Sequence, residues 1–111
     1  MAAAVNQLDA QKSGTLDATG AATVTLGPNR IGQTWHVTTV AVSGTGAITP
    51  TANVSLGSTR LGGTYSGNND SDNVDVMVYP GQSLSYVWSG GTPGASVTAY
   101  AYGTFTTLRG V

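Results

Sequence analysis

Two places in the chain hold residue types that could do chemistry: the single histidine, His36, and the stretch "GNNDSDN" from Gly67 to Asn73. A histidine works as a general acid or base only when the fold brings a nucleophile or a carboxylate to it. His36 stands beside Trp35 in a strand-like run, with neither partner near it in sequence and no G-x-S-x-G elbow anywhere. It reads as an ordinary strand histidine. Glu is absent, so any paired-carboxylate chemistry falls to five Asp, three of them in or next to the Asn/Asp-rich stretch. There Asn68, Asp70 and Asp72 alternate as the oxygen ligands of a calcium loop do, but the pattern then breaks. The sixth position is Asn73 rather than Gly, and the twelfth is Tyr79 rather than a bidentate Glu. A solvated loop rich in turn formers is the expectation, with these three residues as the only metal candidates. No catalytic residue and no cofactor is expected, and the chain is not read as an enzyme.

Composition narrows the classes further. At 111 residues the chain is one domain, long enough to bury a core without disulfides or metal. Charged residues make up 8% of it, against about 25% in an average protein. Thr, Ser, Val and Gly take their place, which reads as all-β. The cations Lys12, Arg30, Arg60 and Arg109 are scattered and the net charge is −1, so no footprint for nucleic acid forms. No apolar run approaches the ~20 residues that span a membrane. There is no Cys, hence no disulfide framework and no thiol nucleophile. The opening "MAAAVNQLDAQKSG" lacks the cationic and apolar regions of a secretory signal. Synthesis and assembly in a cytoplasm are expected.

The elements that must position these residues are strands. Residues 1–18 read as a flexible or partner-ordered N-terminal arm, with Leu8 and Leu16 as isolated apolar contacts for a partner. From residue 19 to 111 the pattern is that of a β-sandwich domain. "AATVTL" puts Ala22, Val24 and Leu26 on one face. "TANVSL", "NVDVMVY" and "SLSYVW" alternate in the same way, with turn signals between them about every 8–12 residues. In "TWHVTTVAVS" the parity breaks: Trp35 and Val37 share one face of a regular strand, Val40 and Val42 the other. Either the strand is covered on both sides, or a bulge at Thr38-Thr39 brings all four to one core; the bulge is expected, because a small sandwich buries one face of each strand. The fold class is therefore all-β, a single jelly-roll-like antiparallel sandwich of seven or eight short strands.

The last strand-like run, "ASVTAYAYGTFTTL", separates Val97, Ala99, Ala101 and Phe105 from Thr98, Tyr100, Tyr102 and Thr104. With the first set in the core, Tyr100 and Tyr102 stand on an outer face as interface candidates; with the second set inward they do not. Tyr79 joins them as an interface candidate, on the side of its strand opposite Val74, Val76 and Val78. A carbohydrate-binding or adhesion module is the alternative reading, with Tyr65, Tyr79, Tyr86 and Trp88 as available aromatics. Leu84, Tyr86 and Trp88 share a parity that suits a core, which weakens it.

The segments "STRLGGTYSGNNDSDN", "VYPGQSLSYVWSGGTPGASVTAYAYGTF" and "GPNRIGQTWHVTTVAVS" together resemble small β-sandwich accessory proteins of tailed phages that infect actinobacteria. The likeness covers roughly residues 20–107 and lies in an "LG" turn, the Asn/Asp-rich loop, a "PGQ" turn and a Trp-x-Gly-Gly-x-Pro-Gly-Ala corner. It implies a structural role in the virion: capsid decoration, head fibre or tail attachment. The partners would be the phage major capsid protein, or a tail protein, and further copies of the chain as a homo-oligomer. No catalytic residue carries over. A virion protein also reconciles a surface of extracellular character with the missing export signal, because lysis releases it.

Overall fold

Alternation of β-branched residues with Ser and Thr commits most of the chain to strands, and a computed structural model describes residues 4–28 and 32–107. Arg30 and Arg109 lie outside the described residues. In chain order the strands are β1 (Ala4–Thr15), β2 (Ala22–Leu26), β3 (Gln33–Gly44), β4 (Thr51–Leu56), β5 (Thr59–Ser66), β6 (Asn69–Val78), β7 (Leu84–Ser89) and β8 (Ser96–Thr107). They form two four-stranded sheets, ordered β1-β8-β3-β6 and β2-β7-β4-β5, and every pairing is antiparallel. Pairing is nested: β1 with β8, β2 with β7, β3 with β6, β4 with β5, alternating between the sheets. That is how a long hairpin rolls up, and the fold is an all-β sandwich of jelly-roll-like order. Three strands of the first sheet have 12 residues and those of the second have 5 to 8, so a long sheet faces a short one.

The core lies between the sheets and follows the parities of the sequence. Val24, Leu26, Val54, Leu84, Tyr86 and Trp88 enter from the short sheet, and Val78, Val97, Ala99 and Ala101 from the long one. β3 keeps Trp35, Val37, Val40 and Val42 all buried because its register slips between Val37 and Thr39 against both neighbours. Against β8 the extra residue is Thr38, the bulge that the parity break predicts. β8 accommodates it with Gly103, where a Cβ would fall 2.0 Å from the His36 carbonyl oxygen.

One expectation is overturned. Residues 4–15 are not an arm but an edge strand, paired residue for residue with β8 from Ala4↔Thr107 to Thr15↔Ser96. Leu8 and Leu16 are 5% and 3% exposed, inside this domain's own core, and offer nothing to a partner. The physical reason is the length of β8, whose edge supplies twelve ladder positions to a segment too polar to fold alone. Small inward residues then let β1 approach the other sheet; a Cβ on Gly14 would come within 2.9 Å of the Val24 side chain.

Two buried phenols give the fold a pH limit. Tyr86 is fully buried and its hydroxyl donates to the Tyr100 carbonyl at 2.7 Å. Tyr65 donates to Asp72 Oδ2 at 2.8 Å. Burial, with the Asp72 carboxylate beside it, raises Tyr65 from 10.0 to about 12, and burial raises Tyr86 further. The neutral phenols are favoured in the folded state, so their contribution is whole below pH 10 and is lost as the pH climbs through about 12. Urea midpoints should hold steady from pH 8 to 9.5 and fall above pH 10. Tyr65→Phe should flatten part of that fall; an unchanged profile would mean that Tyr65 does not carry it.

Candidate functional site

The outer face of the long sheet brings together three of the residues singled out from the sequence, His36, Tyr100 and Tyr102. On β8, Val97, Ala99 and Ala101 point inward, so Tyr100 and Tyr102 stand outward and half-buried on a central strand. Their rings are stacked, with centroids 6.1 Å apart and planes 17° from parallel. The Tyr100 hydroxyl lies 3.2 Å from Ser43 Oγ on β3. Gln11 and Asp9 of β1 stand directly opposite Tyr100 and Tyr102, and Thr39 of β3 flanks Tyr102 on the other side. Burial and the Asp9 carboxylate push the Tyr102 phenol up, which favours its neutral form. Tyr79 is well exposed, just beyond β6 and outside this cluster.

His36 lies on the same outer face. Its Nε2 is 2.6 Å from Asp75 Oδ1 on β6, and both side chains are substantially exposed. The carboxylate partner that the sequence does not indicate is thus present. Thr104 faces His36 across the β3–β8 ladder. No hydroxyl hydrogen-bonds the imidazole among the described residues. An exposed pair of this kind holds a rotamer and adds little to stability. Asp75 could have been paired with His36 only from the register, which the bulge in β3 shifts.

The three metal candidates do not converge. The expected loop is mostly strand, because β6 begins at Asn69 and only Gly67 and Asn68 turn. Asn68 donates to the Gly46 carbonyl at 2.9 Å. Asp70 accepts from the Ser66 and Ser71 amides, and Asp72 from the Tyr65 hydroxyl. The three side chains serve different structural bonds, and no group of three or more His, Cys, Asp or Glu positioned for a metal occurs among the described residues. Melting with and without millimolar calcium should therefore give the same midpoint. A rise of several degrees would require a site that binds the folded state selectively.

The aromatic residues of the carbohydrate alternative are mostly interior. Tyr86 and Trp88 are fully buried and stacked on one another, and Tyr65 is 8% exposed. The Trp88 indole N–H donates to the Gly67 carbonyl at 3.0 Å, tying the core to the β5–β6 turn. Only the Tyr100–Tyr102 pair and Tyr79 remain as aromatic surface from that list and its neighbours.

Compared with known proteins, the chain matches no family model. No curated protein matches it either.

Proposed function

We propose that the chain is a non-enzymatic structural protein of a tailed-phage particle, a decoration protein that binds the capsid shell as an oligomer. The observation that carries this reading is the chemistry of the long sheet's outer face. Four strands of up to 12 residues span about 40 Å by 19 Å, roughly 760 Å², close to the ~800 Å² that each partner commonly gives to a stable protein contact. Across it the ionisable side chains are few: Asp9 on one flank, and His36 paired with Asp75 towards the other. The rest is mainly Thr, Ser, Asn and Gln around a central tyrosine pair, the distribution of an anchor within a polar rim. Identical faces of this kind meet without like-charge repulsion. The sequence resemblance supplies the particle, and assembly in the host cytoplasm followed by lysis supplies the route outside.

The test is reconstitution. Purified chain added to particles assembled without its gene should sediment with them and saturate at a fixed ratio to the shell protein. Tyr100→Ala/Tyr102→Ala should fold, lower the oligomeric state in light scattering and weaken saturation. A chain that stays in the supernatant at every concentration would overturn the reading.

The exposed tyrosine pair favours one second reading, a tail-associated or carbohydrate-binding adhesion module. A glycan array separates the two: saturable binding lost in the Tyr100→Ala/Tyr102→Ala variant, without sedimentation on shells, would favour adhesion.

A further inference from the structure

We infer that the free edge of β1 is a docking site for an extended segment of another protein chain, one whose inward-facing side chains include an apolar residue and a carboxylate. This names an attachment element for the proposed particle role, and depends on that role only for the source of the segment.

Each sheet has two edges, and the four are not alike. β2 offers only 5 residues. β5 has 8 residues with Gly62 at a positive φ of 63°, and its register slips against β4. β6 carries Asp70, Asp72 and Asp75, charges that discourage pairing with a further strand. β1 differs from all three: 12 residues, no proline, no slip in register, one side paired with β8 and the other with no strand partner among the described residues. A row of backbone donors and acceptors on such an edge is the template for strand addition.

The second observation is a cleft of about 460 Å³ along that edge. Its lining takes four consecutive residues of β1, Asp9 to Lys12, and three in sequence from the end of β2, Thr25 to Gly27, with Trp35. Consecutive residues line a space only when strand edges, rather than single faces, border it. The cleft is therefore the gap between the two sheets at their β1 and β2 edges, where a strand added to β1 would place its inward side chains. Leu26 and Trp35 make one part of it apolar, and the indole N–H is already bonded to Gln33 Oε1 at 2.9 Å. Lys12 makes another part cationic. It stands opposite the buried Ala99, so it belongs to the inner face, and it forms no ion pair among the described residues.

Lys12 also decides between occupants. The inward positions of β1 itself are Asn6, Leu8, Ala10, Lys12 and Gly14, none of them acidic. Asp9 also borders the cleft but has the outer parity, opposite Tyr102, so a second copy pairing β1 against β1 would bring two lysines to the shared inner face and no carboxylate on that face. A segment with a carboxylate facing inward meets Lys12, and an apolar side chain beside it covers Leu26 and Trp35. An inward lysine on an open edge thus selects its partner while blocking indiscriminate pairing.

The experiment uses the intact chain and capped ten-residue peptides in which threonines alternate with leucines around one central glutamate. A second peptide has lysine in place of the glutamate, and a third is N-methylated on alternate amides. The glutamate peptide should bind with a Kd of about 10–100 µM, shift the emission of Trp35 and slow amide exchange across residues 4–15. Trp88, fully buried, should report no change, which Trp35→Phe and Trp88→Phe variants would establish. Lys12→Glu should weaken the glutamate peptide about tenfold and favour the lysine peptide instead. Binding of the N-methylated peptide equal to the first would overturn the inference, since no strand would then be added. So would absence of binding at 1 mM by every peptide, or protection of residues 4–15 that rises with protein concentration alone. Particle sedimentation is read separately, so either proposal can fail while the other stands.

Discussion

Deleting residues 2–15 should abolish cooperative unfolding of the domain. The segment contributes the whole of β1, whose register with β8 runs unbroken over twelve positions. Its removal exposes the inner face of β8 at Val97, Ala99 and Ala101, each at most 1% exposed in the intact fold. Leu8 alone, truncated to Ala, should cost about 2–5 kcal/mol, the usual range for a buried leucine. Against a total stability of about 5–15 kcal/mol for a domain, loss of the strand leaves no margin. Circular dichroism melts and amide dispersion in NMR measure this directly. A cooperative melt with an unchanged midpoint would restore residues 4–15 to the status of an arm and remove the edge on which strand addition depends.

Trp88→Ala should be the most damaging single substitution in the short sheet. The indole is fully buried and stacked on Tyr86, with ring centroids 6.4 Å apart. Truncating a buried tryptophan costs about 3–5 kcal/mol through lost transfer energy and the cavity left behind. The Gly67 carbonyl also loses its indole donor at the turn that carries the chain from one sheet to the other. Trp88→Phe separates these effects: it keeps most of the ring volume and should cost about 1–3 kcal/mol, the penalty of an unpaired buried carbonyl. Chemical denaturation of both variants checks the order. A folded Trp88→Ala with near-normal stability but altered sugar binding would place Trp88 at a surface, against the packing described here.

The sequence was most legible where periodicity and burial coincide. β2, β4, β6 and β7 alternate cleanly because each has one face in the core, and β6 keeps Val74, Val76 and Val78 inward as its pattern requires. Even the bulge could be read, because Trp35 and Val40 cannot both face one core on a regular strand. β1 could not. "NQLDAQKSG" has no β-branched residue and only one large apolar side chain, and its strand conformation comes from the β8 edge rather than from its own propensity. The start of β6 was hidden for a related reason: Asn and Asp are turn formers, yet at a sheet edge their side chains reach water or a neighbouring amide, as Asp70 does with Ser66. The His36–Asp75 pair needed the register of β3 against β6, and the cleft beside β1 needed both sheets in place. Neither leaves a local mark in the sequence. The parity of Tyr100 and Tyr102 was visible, but which face was core depended on the short sheet covering the alanines.

Electron cryo-microscopy of gradient-purified particles made with the gene present tests the central claim most directly. The account predicts an added density at repeated positions on the shell, fitted by an eight-stranded sandwich 50 Å long and 23 Å by 22 Å across, absent from particles made without the gene. A shell that is bare in both preparations, with the protein recovered only from the soluble fraction, would contradict it.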